Sequence, residues 1–160
     1  MPTTKNTYLK ILFSILLLSA FFSCDQPKPQ KAVSKNPNEI NFISLSNVGG
    51  QLGNYRIIKV TKDSISVEKG LTANQTHKKW RSAISPATWK KLTSSVTIKD
   101  LDYIKSSPSL QPVDGIDETF QIRTPKKSHL YVNSYVDTVR YKQLQQIKEQ
   151  LDQILPKEYK

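Results

Sequence analysis

One cysteine in 160 residues, Cys24, constrains this chain more than any other feature. It closes an apolar run, Tyr8–Cys24 (YLKILFSILLLSAFFSC), and everything after it lacks a thiol. Past residue 24 the chain can build no disulfide, no CxxC redox pair and no cysteine-ligated metal, so its fold must rest on apolar burial. Lys5 and Lys10 are the only charges among the first 23 residues, and Ile11–Phe22 contains just two polar residues, Ser14 and Ser19. A membrane-spanning helix needs about 20 apolar residues. Twelve, behind a positive flank and ahead of the small Ser23, have the layout of a secretory signal.

Residues 5–24 resemble the lipobox of bacterial lipoproteins, in which a small residue precedes a cysteine that becomes the mature N-terminus. Phe21 and Phe22 stand where that pattern prefers an aliphatic and a small residue. The resemblance implies a signal peptide over 1–23 and lipidation of Cys24, with palmitate-type acyl chains on its sulfur and amine. It implies a membrane-anchored protein of the bacterial cell envelope, facing the periplasm or the exterior. Two or more acyl chains anchor stably where a single chain holds only marginally.

Removing 1–23 leaves 137 residues, enough for one domain. Net charge is +11 for the whole chain, and 22 Lys and Arg against 13 Asp and Glu make it +9 after residue 23. The cations are dispersed (Lys78, Lys79, Lys90, Lys91, Lys126, Lys127), without the aromatic-interleaved stripe that stacks bases, so no nucleic-acid partner is expected. Residues 24–38 carry three prolines and three lysines and almost nothing to bury. We read them as a lipidated, disordered tether ahead of the domain.

A single domain is expected over 39–156, with 157–160 as a tail. Ile40–Leu45, Tyr55–Thr61, Ser64–Val67 and Lys79–Ile84 read as four strands from their β-branched and aromatic residues. Lys62-Asp63 is the hairpin turn between the second and third, and Asn47–Gly53 and Gly70–Thr76 are loops. Ser85-Pro86 pairs a hydroxyl N-cap with proline at the first helical position, and Trp89, Leu92 and Val96 form one stripe of a helix ending near Thr97. Asp100–Ile104 is either a short helical turn or a strand stub, and Ser106–Gly115 a loop. Thr119–Arg123 and His129–Tyr135 are two more strands, with Phe120 and Ile122 on one face and Leu130 and Val132 on a face of the partner. Tyr141, Leu144, Ile147, Leu151, Ile154 and Leu155 stripe a closing helix that Pro156 ends. The order ββββ-α-ββ-α predicts an α+β fold: an antiparallel sheet of about six strands with two helices packed on one face.

Three of the chain's five glycines fall in Gly49-Gly50-x-x-Gly53. A phosphate-binding loop needs a strand before it and a helix after it, whereas here a strand follows. The run reads as an irregular hairpin connection, with Gly49, Gly50, Gly53 and Tyr55 a candidate partner-contact loop. This glycine pattern, the helix carrying Trp89 and Leu92, the later hairpin and the closing helix resemble emfourin-type protease inhibitors. They also resemble small exported bacterial proteins of unknown function that carry Cys-Phe-Gly-x-Cys-Pro at the equivalent turn, where this chain has no cysteine. The first resemblance implies protease inhibition.

No catalytic, cofactor or metal residues are assigned. His77 sits in a polar loop, and His129 is expected half-exposed on a strand. Asp114–Glu118 has too few ligands for a calcium loop and reads as a turn with a solvated acidic edge. Tyr131, Tyr135 and Tyr141 form either an exposed aromatic patch or the rim of the core. The expectation is therefore a monomeric, non-enzymatic binding module, tied to the membrane through Cys24 and open to an envelope protein partner. The alternatives are a protease inhibitor, or an envelope enzyme whose Asp and His residues are brought together only by folding.

Overall fold

Alternation of apolar and polar residues builds six strands. The computed structural model describes residues 36–160, so the expected signal segment, Cys24 and the expected tether up to residue 35 lie outside the described residues. The strands are β1 (Phe42–Gly49), β2 (Asn54–Thr61), β3 (Ser64–Leu71), β4 (Thr76–Ala83), β5 (Ile116–Arg123) and β6 (Ser128–Val132). They form one antiparallel sheet in the order β4-β3-β2-β1-β5-β6. Two helices follow the expected order, α1 (Pro86–Ser94) after β4 and α2 (Lys142–Ile154) after β6. The fold is α+β, as the pattern predicted.

Cross-strand register sorts the inner face of the sheet into rows. Ile122, Ile43, Val60 and Ile65 make one row across β5, β1, β2 and β3; Phe120, Leu45, Ile58 and Val67 make the next. All eight are buried, and they share a single core with Trp89 and Leu92 of α1 and Leu144, Ile147 and Leu151 of α2. Both helices thus cover the same sheet face. The opposite face carries Ser44, Ser46, Lys59, Ser66, Glu68, Thr119 and Gln121, so it meets water with hydroxyls, amides and charges.

Local chemistry sets the helix ends. The Ser85 hydroxyl accepts from the Thr88 N–H at 3.1 Å, with Pro86 in the first turn. The helix stops at Ser94, short of the expected Thr97, because the hydroxyls of Thr93, Ser94 and Ser95 donate to the carbonyls of Trp89, Lys91 and Leu92 and satisfy the last turn. Val96 still packs on the core, but from outside the helix. Ile98–Tyr103 forms a 3-10 turn that buries Leu101, which settles the ambiguous 100–104 stretch as helical. Before α2, Asp137 Oδ1 accepts the N–H groups of Val139 and Arg140.

Several expectations need correction. β1 runs through Asn47 and Val48 to Gly49, and β3 and β4 extend to Leu71 and back to Thr76, leaving short turns where longer loops were expected. β6 stops at Val132, and Ser134–Val136 is a 3-10 turn. His129 and Tyr131, rather than Leu130 and Val132, pair with Ile122 and Phe120 and point into the core, while Leu130 is 60% exposed. The residues expected as a tail form a 3-10 turn, Lys157–Tyr159, whose Tyr159 is buried against Trp80 and donates its hydroxyl to the Lys79 carbonyl at 3.1 Å. The domain therefore includes residues 157–160.

Candidate functional site: a basic groove at the glycine end of the sheet

Beyond the two apolar rows, the inner face changes character. The third row reads Glu118, Asn47, Arg56, Lys69 and Lys78 across β5, β1, β2, β3 and β4. The fourth and last reads Ile116, Gly49, Asn54, Leu71 and Thr76. The helix layer ends over the third row. Lys148 of α2 pairs with Glu118 at 2.5 Å, and Asp152, one turn later, pairs with Arg56 at 2.7 Å. Arg56 Nε also donates to the Tyr159 carbonyl at 2.9 Å, and Lys69 Nζ donates to the Glu158 carbonyl while lying over the Tyr159 ring. These contacts hold α2 and the closing turn on the sheet and leave the fourth row uncovered.

The result is a groove of about 400 Å³. Leu71 and Ile116 supply apolar walls, with Asn47 and Asn54 between them, and Arg56, Lys69, Lys78 and Lys160 border it. No acidic side chain lines it among the described residues. Burial of the Arg56 side chain, 18% exposed, keeps one guanidinium fixed, whereas Lys78 makes no ion pair among the described residues. Nearby turns add exposed apolar groups, Leu52 on the β1–β2 turn and Leu110 and Val113 on the 106–115 loop.

The candidate contact loop sits at this end of the sheet, with its glycines committed to the fold. Gly49 has φ +138°, and a Cβ there would lie 2.1 Å from the Gly115 carbonyl oxygen, so only glycine allows the two backbones to meet. The Gly50 N–H donates to that same carbonyl at 3.1 Å. The Gly53 carbonyl accepts from the Thr72 N–H at 3.0 Å, which ties the β1–β2 turn to the β3–β4 turn. The Tyr55 side chain lies on the opposite sheet face, across Gly70, with its hydroxyl 2.8 Å from His77 Nδ1. The four residues thus shape the end of the sheet, and the groove side chains stand beside them.

Other expected groups are placed differently. Asp117 and Glu118 are buried in β5, which corrects the reading of a solvated acidic edge. Asp117 accepts from Ser109 Oγ, the Leu110 N–H and Asn133 Nδ2 at 2.5, 2.7 and 2.8 Å. Those donors, the hydroxyl foremost, hold its carboxyl below the ordinary value. Glu118 takes the Tyr141 hydroxyl at 2.6 Å. Burial, and then this carboxylate, push the Tyr141 phenol well above its usual range.

His129 is buried, which corrects its expected half-exposure; its Nδ1 lies 3.5 Å from Asp102, which also takes Lys127. Burial lowers the imidazole's pKa against the opposing pull of Asp102. Folding therefore does bring one Asp and one His together, and the pair ties the 98–103 turn to β6. The three tyrosines do not make one patch: Tyr131 is core, its hydroxyl donating to the Leu101 carbonyl at 2.5 Å, while Tyr141 meets the exposed Tyr135 edge-on.

Sequence reasoning missed Arg56, Lys69, Lys78, Asn54 and Ile116 as one site because they are far apart along the chain. A signal was present. Reflecting residues about the hairpin turn at Lys62-Asp63 pairs Arg56 with Lys69, and reflection about the β3–β4 turn pairs Lys69 with Lys78.

Compared with known proteins, the chain matches no family model and no curated protein.

Proposed function

We propose that this protein is a lipid-anchored, non-enzymatic binding module of the bacterial cell envelope, held to the membrane by acyl chains on Cys24. One observation carries the reading of a binder: the sheet's inner face is packed for two rows and then left open as a basic, apolar-walled groove. Small-molecule and peptide sites share this character, concave and largely apolar with a few fixed polar groups.

The anchored reading is supported by the sequence, in which Cys24 closes the short apolar run Tyr8–Cys24 that carries Lys10 and follows Lys5.

The anchor is tested by intact-mass measurement on protein extracted from the membranes of its own cells. The expected species begins at residue 24 and carries acyl chains. A chain that still begins at Met1 with a free thiol overturns the anchor and the envelope location together.

A further inference from the structure

We propose that the groove binds a small anionic amphiphile, a molecule with one carboxylate or phosphate head on an apolar body. This names the ligand class of the binding module proposed above and rests on that reading.

Charge selects the sign of the head. Four cations border the groove, Arg56, Lys69, Lys78 and Lys160, and no acid joins them among the lining residues. The carboxylates of Asp152 and Glu118 nearby are already spent, on Arg56 and Lys148. Arg56 and Lys69 keep donors beyond those that hold the closing turn, since a guanidinium has five N–H groups and an ammonium three. Lys78 stands in the same cross-strand row, next to Lys69, and brings an uncommitted ammonium. Asn54 adds a neutral amide donor on the neighbouring row.

Shape selects the body. Small-ligand pockets typically span about 300–1,000 Å³, and this groove, at about 400 Å³, suits one ring system or a short chain rather than a folded partner. Leu71 and Ile116 stand at either side of the fourth row, with Gly49 and Asn54 between them, so two apolar walls flank a narrow strip with one amide side chain. Ile116 is 47% exposed in the free protein, and covering it removes apolar surface from water. The head then lies toward the third row and the body along the fourth.

The test uses the full chain in nanodiscs of zwitterionic lipid, titrated by calorimetry with 1-naphthyl phosphate and 1-naphthylacetate. Inorganic phosphate and 1-naphthylmethylammonium serve as comparisons. Both naphthyl anions are expected to bind at least tenfold more tightly than either comparison, and tenfold more weakly to Lys78→Glu, with Lys78→Ala between. Lys78 is exposed, and an unchanged melting temperature shows that each variant is folded. Equal binding of the cationic naphthyl compound, indifference to the charge at 78, or no heat with either anion overturns the proposal. Acylation of Cys24 is measured on the same preparation. Failure to bind by an acylated chain removes the ligand class and leaves the anchored module, whereas a free thiol removes the anchor whatever the groove does.

Discussion

Asp117 and Glu118 are adjacent on β5, leave the strand on opposite faces, and are both buried. A buried carboxylate is tolerated only when its lone pairs are filled, and each here has its own set of donors. Asp117→Asn turns one acceptor oxygen into a donor, facing either Ser109 or the Leu110 N–H and Asn133. It is expected to cost about 1–3 kcal/mol at pH 7, measured by urea denaturation. The pH dependence follows from the lowered folded pKa: as pH falls below about 4 the unfolded chain takes the proton first, so stability is lost on the acid side. In Asp117→Asn that acid-side loss shrinks.

His129 gives a second window with the same sign. Burial disfavours its charged form, so as pH falls below about 6.5 the unfolded chain binds a proton that the native chain resists. Stability declines as pH falls through that range, and His129→Gln is expected to flatten the decline; an unaltered slope contradicts the assignment. Neither behaviour was legible in the sequence. The run of acids from 114 to 118 looks like a solvated turn until Ser109 and Asn133, 8 and 16 residues away, arrive to satisfy Asp117.

At the scale of elements, the strands most exposed to error were those with polar residues at inward positions. In β6 the apolar Leu130 and Val132 outvote His129 and Tyr131 on hydrophobicity, yet the register with Phe120 and Ile122 turns the latter pair inward. A one-residue change of phase exchanges the two faces of a strand. Leu130→Lys is therefore expected to shift stability by no more than about 0.5 kcal/mol, the range of ordinary surface changes, in thermal or chemical unfolding.

The closing turn is the opposite case, where a polar sequence, PKEYK, hides a structural residue. Tyr159 packs on Trp80, and its backbone carbonyl holds Arg56. Tyr159→Ala is expected to cost up to about 3 kcal/mol, toward the lower end for an aromatic truncation because the ring is at the edge of the core. It also loosens Arg56, which heteronuclear NMR of the guanidinium reports. Helix α2 was legible throughout, because Leu144, Ile147 and Leu151 recur at helical spacing and proline stops the run.

For the whole molecule, charge and burial divide the sheet. Between residues 36 and 160 there are 19 Lys and Arg against 12 Asp and Glu, a net charge of +7. The edge strand β4 carries Lys78, Lys79 and Arg81, a charge density that discourages other strands from adding to that edge. Acids are partly consumed by the fold, at the buried Asp117 and Glu118 and at Asp152 on the surface, which leaves the groove end basic.

The sequence alone determined the strand and helix order and the main core, because those depend on short-range periodicity: two residues for a strand, 3.6 for a helix. A cysteine-free core after residue 24 was likewise plain from composition. Tertiary structure alone decided that the helix layer stops short of the groove, which face of β6 is buried, and why Asp117, Glu118 and Tyr159 are inside. These depend on register and on contacts between residues up to 103 positions apart, as between Arg56 and Tyr159, where local pattern carries no information.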